Sequence, residues 1–328
     1  MTKDHVIAIL RKSDEYVSGE EISQVLGVSR AAVNSAVKSL RKDGYHILSS
    51  TNKGYLLSGS PDKLNAGELL ALLPAGRTER IVHLETVDST NNYLRMLAQE
   101  GAPDGFIAVA NEQTGGRGRL GRSFQSPKDK GIYLSMLMRP DSLPAEAVNI
   151  TAWVAVAMCD AIETVSGVRP GIKWVNDLVM NGKKICGILT EMSVESENGH
   201  IQYVITGIGI NVNGQENDFS EEIRHIATSL AMETGTEINR AQLACEMIKG
   251  LDRLRADWPE KKEAYLSAYR KDCITLGKEV RLLRNGIEKT GAAEDIDNDF
   301  GLVVRFSDGR CESITSGEVS VRGLYGYV

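Results

Sequence analysis

Apolar positions in the first sixty residues recur at helical spacing. In segment 20–44, EEISQVLGVSRAAVNSAVKSLRKDG, Ile22, Val25 and Leu26 form one stripe, and Val33, Val37 and Leu40 form another. Gly27 between them suits the positive φ of a sharp helix–helix turn, and Ser29 stands where an N-cap belongs. The second helix ends at Gly44. The stretch YHILSSTNKGYLLSG then reads as a β-hairpin turning near Asn52-Lys53-Gly54. Two helices about a tight turn, followed by a hairpin, predict a winged helix-turn-helix. A small three-helix interaction module with a solvated basic face is the alternative.

Residues 58–76 open with Ser, Gly and Pro, contain a short helical pattern and close on Pro-Ala-Gly, which predicts a linker with a domain boundary near Pro61. From Ile81 the periodicity alternates between 2 and 3.6. IVHLETV, GFIAVANEQ, GIYLSMLM, GIKWVNDLVM, KKICGILTEM and YVITGIGINV are strand-like, with SVESENGH as a hairpin connection. Segments 88–100, 144–166 and 239–270 are helical. The class is α+β, with a mixed or mainly antiparallel sheet. Beyond residue 273 short strands return, with turn signals at Asn285-Gly286, Asn298-Asp299 and Asp308-Gly309, and a small SH3-like β-barrel is expected. The expected domains are 1–62, 63–270 and 271–328.

Composition narrows the function. With 328 residues, 42% of them hydrophobic, the chain suits two or three domains with real cores. No run of 18 or more apolar residues stands out, so no transmembrane helix or membrane partner is expected. Five cysteines without CxxC spacing fit reduced thiols and a cytoplasmic location. The net charge of −6 is uneven: residues 1–60 carry eight Lys/Arg against six Asp/Glu. Any DNA contact therefore comes from a small basic N-terminal face. Ser29, Arg30, Asn34, Lys38, Arg41 and the wing's Lys53 are its candidate DNA-binding residues.

The densest chemistry lies in Thr114–Arg122, TGGRGRLGR, with four glycines and three arginines in nine residues. Glycine lets backbone amides approach a ligand, and arginine presents a permanently charged fork to carboxylate or phosphate. The segment lacks the GK[ST] ending of a P-loop and the G-x-G-x-x-G order of a dinucleotide fold. A loose RGG-like nucleic-acid segment is the competing reading. Other polar residues interrupt apolar strands, where burial is costly without partners: Asn176-Asp177 in KWVNDLVM, Lys184 before ICGIL, and Asn211 in GIGINVN. Ser89-Thr90-Asn91 open a helix, where Ser89 or Thr90 would serve simply as its N-cap.

DSTN, GRGRLGR, KWVNDL, KKICGIL and GIGINVN, in this order and spacing, resemble the biotin–protein ligases. With a winged helix in front, the whole chain is similar to the bifunctional biotin ligases and biotin-operon repressors of bacteria. One departure is Val175, where the family usually has proline. The resemblance implies a central catalytic domain of the biotin/lipoate-ligase type and substrates biotin and ATP with Mg²⁺. It implies catalytic roles for Lys184 and Arg119. It implies biotin contacts from Ser89, Thr90, Asn91, Gln113, Gly116, Arg117, Gly118, Arg119 and Lys184. It places Arg119, Arg122, Phe124, Asn176, Asp177 and Asn211 on the nucleotide side.

The ending SGEVSVRG matches the family's pattern and brings Glu318 and Arg322 to the nucleotide site or the acceptor, with a structural salt bridge as the plainer reading. Implied partners are the biotin carboxyl carrier protein of acetyl-CoA carboxylase, other biotin carboxylases, operator DNA and a second copy of the chain, joined when biotinyl-5′-AMP is bound. Two readings compete. A pure biotin-sensing transcription factor would lack the phosphate-handling residues. An octanoyl- or lipoate-protein ligase would lack this loop and the winged helix.

Overall fold

A computed structural model of the chain describes residues 2–195, 197, 199–284, 287–315 and 318–321. The chain divides into two compact units, residues 1–83 with 239–245, and 84–238 with 246–328. The first unit thus runs past the expected linker.

In the first unit, helices α1 (Thr2–Arg11), α2 (Gly19–Leu26) and α3 (Arg30–Lys42) precede strands β1 (His46–Ser50) and β2 (Gly54–Gly59), which pair antiparallel as the wing. Gly27 ends α2 at φ 64°, and the Ser29 hydroxyl accepts from the Ala32 amide at 3.1 Å. Turn and cap therefore fall where the sequence puts them. Val6, Ile22, Val33 and Val37 have no exposed surface, and each such side chain contributes roughly 1.5–3 kcal/mol by leaving water. The expected α2 stripe is narrower than read, because Val25 is 67% exposed.

Helix α4 (Ala66–Leu72) continues the same unit and is locked to α1 by charge. Arg11 Nε and Nη2 both donate to Oε2 of the buried Glu68, at 3.0 and 2.7 Å. Burial and then the Glu68 charge push the Tyr45 phenol up, keeping it a neutral partner for Asn65 Nδ2 at 2.9 Å. The fully buried Arg240 donates through Nε to Asp62 Oδ2 at 2.6 Å.

A seven-stranded sheet builds the second unit, except that residues 81–83 of its edge strand fall in the first. Its strands are β3 (Ile81–Leu84), β4 (Ile107–Ala110), β5 (Gly131–Met138), β6 (Gly171–Lys173), β7 (Asp177–Met180), β8 (Lys183–Val194) and β9 (Ile201–Asn211), in the order β3-β4-β5-β9-β8-β7-β6. Pairings from β4 to β6 are antiparallel, while Val87 bridges Gln113 in parallel, so the sheet is mixed as expected. The stretch read as one strand, 171–180, is two. Trp174 leaves the ladder to bury its indole, whose Nε1 donates to the Phe300 carbonyl at 2.9 Å.

Helices α5 (Thr90–Gln99), α6 (Pro144–Ala147), α7 (Ile150–Ser166), α8 (Leu230–Thr234), α9 (Arg240–Asp257) and α10 (Lys262–Asp272) interrupt or follow these strands along the chain, and α5, α7 and α10 pack on the sheet. Residues Pro144–Ser166 are long and apolar enough to cross a membrane by length and composition alone, but 67% of their most apolar 18-residue window is buried inside the protein, the setting of a core helix. The helical run expected over 239–270 breaks at Trp258-Pro259, where proline has no amide to donate. Strands β10 (Glu279–Arg284), β11 (Ile287–Ile296), β12 (Leu302–Phe306), β13 (Cys311–Ile314) and β14 (Glu318–Val321) form a separate antiparallel sheet, ordered β13-β12-β11-β10-β14. The Asn285-Gly286 turn lies outside the described residues.

Candidate functional site

The floor of the site is a strip of sheet without side chains. In the β8–β9 ladder Gly187 faces Gly209, and Leu189 faces Gly207. Residues two apart on a strand share a face, so these glycines lie on one side of the sheet. A Cβ on Gly209 would stand 2.4 Å from Phe124 Cε1, and one on Gly207 would stand 2.3 Å from Asn91 Oδ1. Glycine is needed because a ring and an amide rest directly on the backbone. Above the strip opens a cleft.

One wall is the start of α5. Ser89 occupies the N-cap position but makes no side-chain capping bond, so the plain capping reading does not describe it. Gln113 takes over instead. Its Oε1 accepts from the Thr90 amide at 2.9 Å and the Thr90 hydroxyl at 3.1 Å, and its Nε2 donates to Ser126 Oγ at 3.0 Å. Ser135 Oγ lies 2.7 Å from Thr90 Oγ1 and 2.6 Å from Asn91 Oδ1. Ser89, Thr90, Asn91 and Ser135 are all buried, which makes this end of the cleft a fixed polar surface.

The glycine- and arginine-rich segment forms the opposite wall. Gly118 donates to the Arg122 carbonyl at 2.7 Å and Phe124 to the Gly116 carbonyl at 2.9 Å, pinching the loop into a hairpin. A Cβ on Gly116 would lie 2.4 Å from the Phe124 carbonyl oxygen, so this pinch requires glycine. Arg117 Nη2 donates to Asn92 Oδ1 at 2.8 Å and to Glu191 Oε2 at 3.1 Å. Arg119 Nη1 donates to Asn176 Oδ1 at 2.9 Å, and Asn176 Nδ2 donates to the Ile188 carbonyl at 3.0 Å. Lys184 Nζ pairs with Asp177 Oδ1 at 2.7 Å.

Ser89, Thr90, Asn91, Gln113, Arg117, Gly118, Arg119, Phe124, Asn176 and Lys184 therefore line one cleft, drawn from positions 89 to 184. Gly116, Arg122, Asp177 and Asn211 stand outside its lining, although Asp177 reaches it through Lys184. The Asn211 amide donates to the Thr228 carbonyl at 3.0 Å. Glu318 is placed by its backbone on β14, opposite Leu283, and Arg322 lies outside the described residues. Sequence reading missed Glu191, Asn92 and Ser135 and the three floor glycines. Glu191 and Ser135 are polar residues inside apolar strand runs, the same signal that singled out Lys184. Among the described residues no cluster of three or more His, Cys, Asp or Glu is gathered to hold a metal. A cleft with two guanidinium forks, an ammonium and a fixed polar end suits a ligand that brings both a carboxylate and phosphates.

On the first unit, Arg30, Asn34, Lys38 and Arg41 are exposed on α3, and Lys53 is exposed at the wing tip. Ser29 spends its hydroxyl on the cap. Arg30 faces Glu20 at 3.6 Å, while Arg41 donates to the Ile47 carbonyl and to Ser49 Oγ, both at 2.6 Å through Nη2. Arg41 thus joins the recognition helix to the wing.

A DNA-binding module ahead of a cleft for carboxylate and phosphate defines a class of ligand-activating enzymes that also read nucleic acid. Three family models match: the HTH domain over residues 2–56, the biotin/lipoate A/B protein ligase family over 83–211, and the biotin protein ligase C-terminal domain over 275–322. The bifunctional ligase/repressor BirA of Bacillus subtilis is 39% identical over 74% of this chain and 74% of its own length. The Escherichia coli protein of the same name is 30% identical over 97% of this chain and 96% of its own. A solved biotin protein ligase from Aquifex aeolicus, in complex with biotin and ATP, aligns with a TM-score of 0.64 at 31% identity, covering 74% of this chain and 98% of that one. The chain belongs to the family of bifunctional biotin–protein ligase/repressors.

Proposed function

We propose that this chain joins biotin to a lysine of biotin carboxyl carrier protein at the expense of ATP, and that the same polypeptide represses biotin genes at an operator. The observation that carries the enzymatic half is the convergence of Arg117, Arg119 and Lys184 on one glycine-floored cleft with a buried polar end.

The reaction needs no covalent enzyme intermediate. A biotin carboxylate oxygen attacks the α-phosphorus of ATP, the bond to the β-phosphate breaks, and pyrophosphate leaves with biotinyl-5′-AMP behind it. The lysine amine of the acceptor then attacks the carbonyl of that mixed anhydride, loses a proton and expels AMP. A carboxylate is already a nucleophile, so catalysis rests on alignment and on neutralising charge as it develops. In this reading Ser89, Thr90, Asn91 and Gln113 hold the ureido end of biotin. Arg119 and Lys184 neutralise the carboxylate and α-phosphate, and Gly116 and Gly118 keep the loop close. Phe124 and Asn176 face the nucleotide, with Asp177 behind them through Lys184. Mg²⁺ would enter with the ATP phosphates and neutralise part of their charge.

The repressor half rests on the winged helix with its exposed Arg30, Asn34 and Lys38. A small basic excess binds one half-site weakly, so a homodimer carrying biotinyl-5′-AMP is the operator-binding form, acting in the cytoplasm. The test of the ligase is direct. Incubation with biotin, MgATP and purified carrier domain adds one biotinyl group to one acceptor lysine by intact mass, with AMP and pyrophosphate in equal amounts. An unmodified acceptor beside folded enzyme, or preferential transfer of octanoate or lipoate, overturns the reading.

A further inference from the structure

Glu191 has no counterpart among the expected site residues, yet three side chains of the site's surroundings converge on it. It lies on β8 two residues beyond Leu189, on the cleft's face of the sheet. Oε1 accepts from Arg95 Nη2 at 2.8 Å. Oε2 accepts from Asn91 Nδ2 at 2.8 Å and from Arg117 Nη2 at 3.1 Å. One carboxylate thus binds the helix that forms the polar wall and the loop that forms the opposite wall. Asn92 seconds it, accepting from Arg117 Nη2 at 2.8 Å and from Arg95 Nη1 at 3.0 Å.

Two of the loop's three arginines meet different groups. Arg119 Nη1 donates to the neutral amide oxygen of Asn176. Arg117 is held by a full negative charge on the rigid sheet, only 26% exposed and flanked by a second guanidinium. Charge-assisted bonds in such a partly dehydrated setting are stronger than neutral ones. Arg117 is thus anchored to the sheet through charge-assisted bonds.

We propose that Glu191 is a positioning residue that fixes the glycine-rich loop through Arg117 and so sets how long the activated biotin stays on the enzyme. This rests on the ligase reading above. The intermediate is a mixed anhydride, which water would split to biotin and AMP once released. An enzyme that waits for a protein acceptor therefore gains from a loop anchored on the sheet.

The test follows release of biotinyl-5′-AMP from the full-length chain. Tritiated biotin and MgATP form the adenylate, excess unlabelled adenylate is added, and bound label is followed by rapid filtration. Glu191→Gln is expected to release the adenylate about tenfold faster, the loss of one charge-assisted hydrogen bond. Single-turnover synthesis should slow by far less, on the order of threefold. Arg117→Ala should match it, and the double variant should release no faster than Arg117→Ala alone. Arg95→Ala removes another partner of Glu191 without touching the loop and should release within about twofold of the unmodified chain. Should Glu191→Gln fail to fold, Arg117→Ala against Arg95→Ala still decides. Release within twofold in Arg117→Ala or Glu191→Gln, or effects that multiply in the double variant, overturns the proposal. If the unmodified chain makes no labelled adenylate, the ligase reading itself falls.

Discussion

Lys184 Nζ lies 2.7 Å from Asp177 Oδ1, across neighbouring strands whose register shifts between Leu178 and Val179. The irregularity pairs Val179 with Lys184 and Asp177 with Gly187, leaving open sheet at the glycine where the lysine side chain folds over. A Cβ on Gly187 would stand 3.0 Å from Lys184 Nζ. Asp177 is buried, so the lysine both neutralises it and projects a cation into the cleft. These two duties separate by mutation. We predict that Lys184→Gln slows adenylate synthesis and transfer roughly 100-fold each. It should also lower the melting temperature, because a buried carboxylate loses its cation. Adding Asp177→Asn should restore the melting temperature without restoring either rate. Recovery of single-turnover rates in the double variant would contradict the catalytic role.

Arg119 lines the cleft and donates through Nη1 to Asn176 Oδ1. Arg119→Ala is expected to reduce biotin-dependent pyrophosphate exchange by on the order of 100-fold, equivalent to roughly 2–4 kcal/mol of transition-state stabilisation. Thermal stability should hardly change, since the loop around it is exposed at Leu120 and at Arg122. An exchange rate within twofold of the unmodified chain would sink the assignment.

The glycine floor predicts a division between the two substrates. A methyl on Gly207 collides with Asn91 and one on Gly209 with Phe124. Gly207→Ala should weaken biotin binding, by calorimetry, about tenfold or more while ATP binding changes less. Gly209→Ala should do the reverse through Phe124. Equal losses for both ligands in both variants would mean that the strip serves the sheet and not the ligands.

Much of this was legible in the chain. The helix-turn-helix was visible because its turn glycine and cap serine are local signals, and both act as read. The loop was visible because glycine and arginine are costly to collect without purpose. What local patterns hide is partnership at long range. Glu191 stands out as a polar residue in a strand, but its partner Asn91 lies 100 residues away in sequence, which no local pattern specifies. The strand at 171–180 looked continuous because Trp174 reads as a strand residue; its indole partner, Phe300, lies 126 positions on. Ser89 looked like a cap because its position is one, yet Gln113 supplies the acceptor from the next element.

The first unit sets a condition on separating the two functions. Arg240 is 1% exposed and pairs with Asp62, while the equally buried Glu68 pairs with Arg11. Removing residues 1–62 deletes both partners. We predict that the truncated chain loses operator binding and keeps measurable ligation, but melts at a lower temperature than the full chain. Replacing Arg240 by Met and Glu68 by Gln in the truncated chain should recover part of that loss, since an unpaired buried charge costs more than an apolar replacement. A truncated chain as stable as the full one would show that these pairs hold only the winged helix itself.

We propose that one small molecule, biotinyl-5′-AMP, serves both the enzyme and the repressor. Titrating the full-length chain into fluorescent operator DNA, first alone, then with biotin and MgATP, and then with unbiotinylated carrier domain added, tests this in one measurement. Binding is expected to tighten when biotin and MgATP are both present and to be lost as the carrier lysine becomes biotinylated. An operator affinity that is the same in all three states would contradict it.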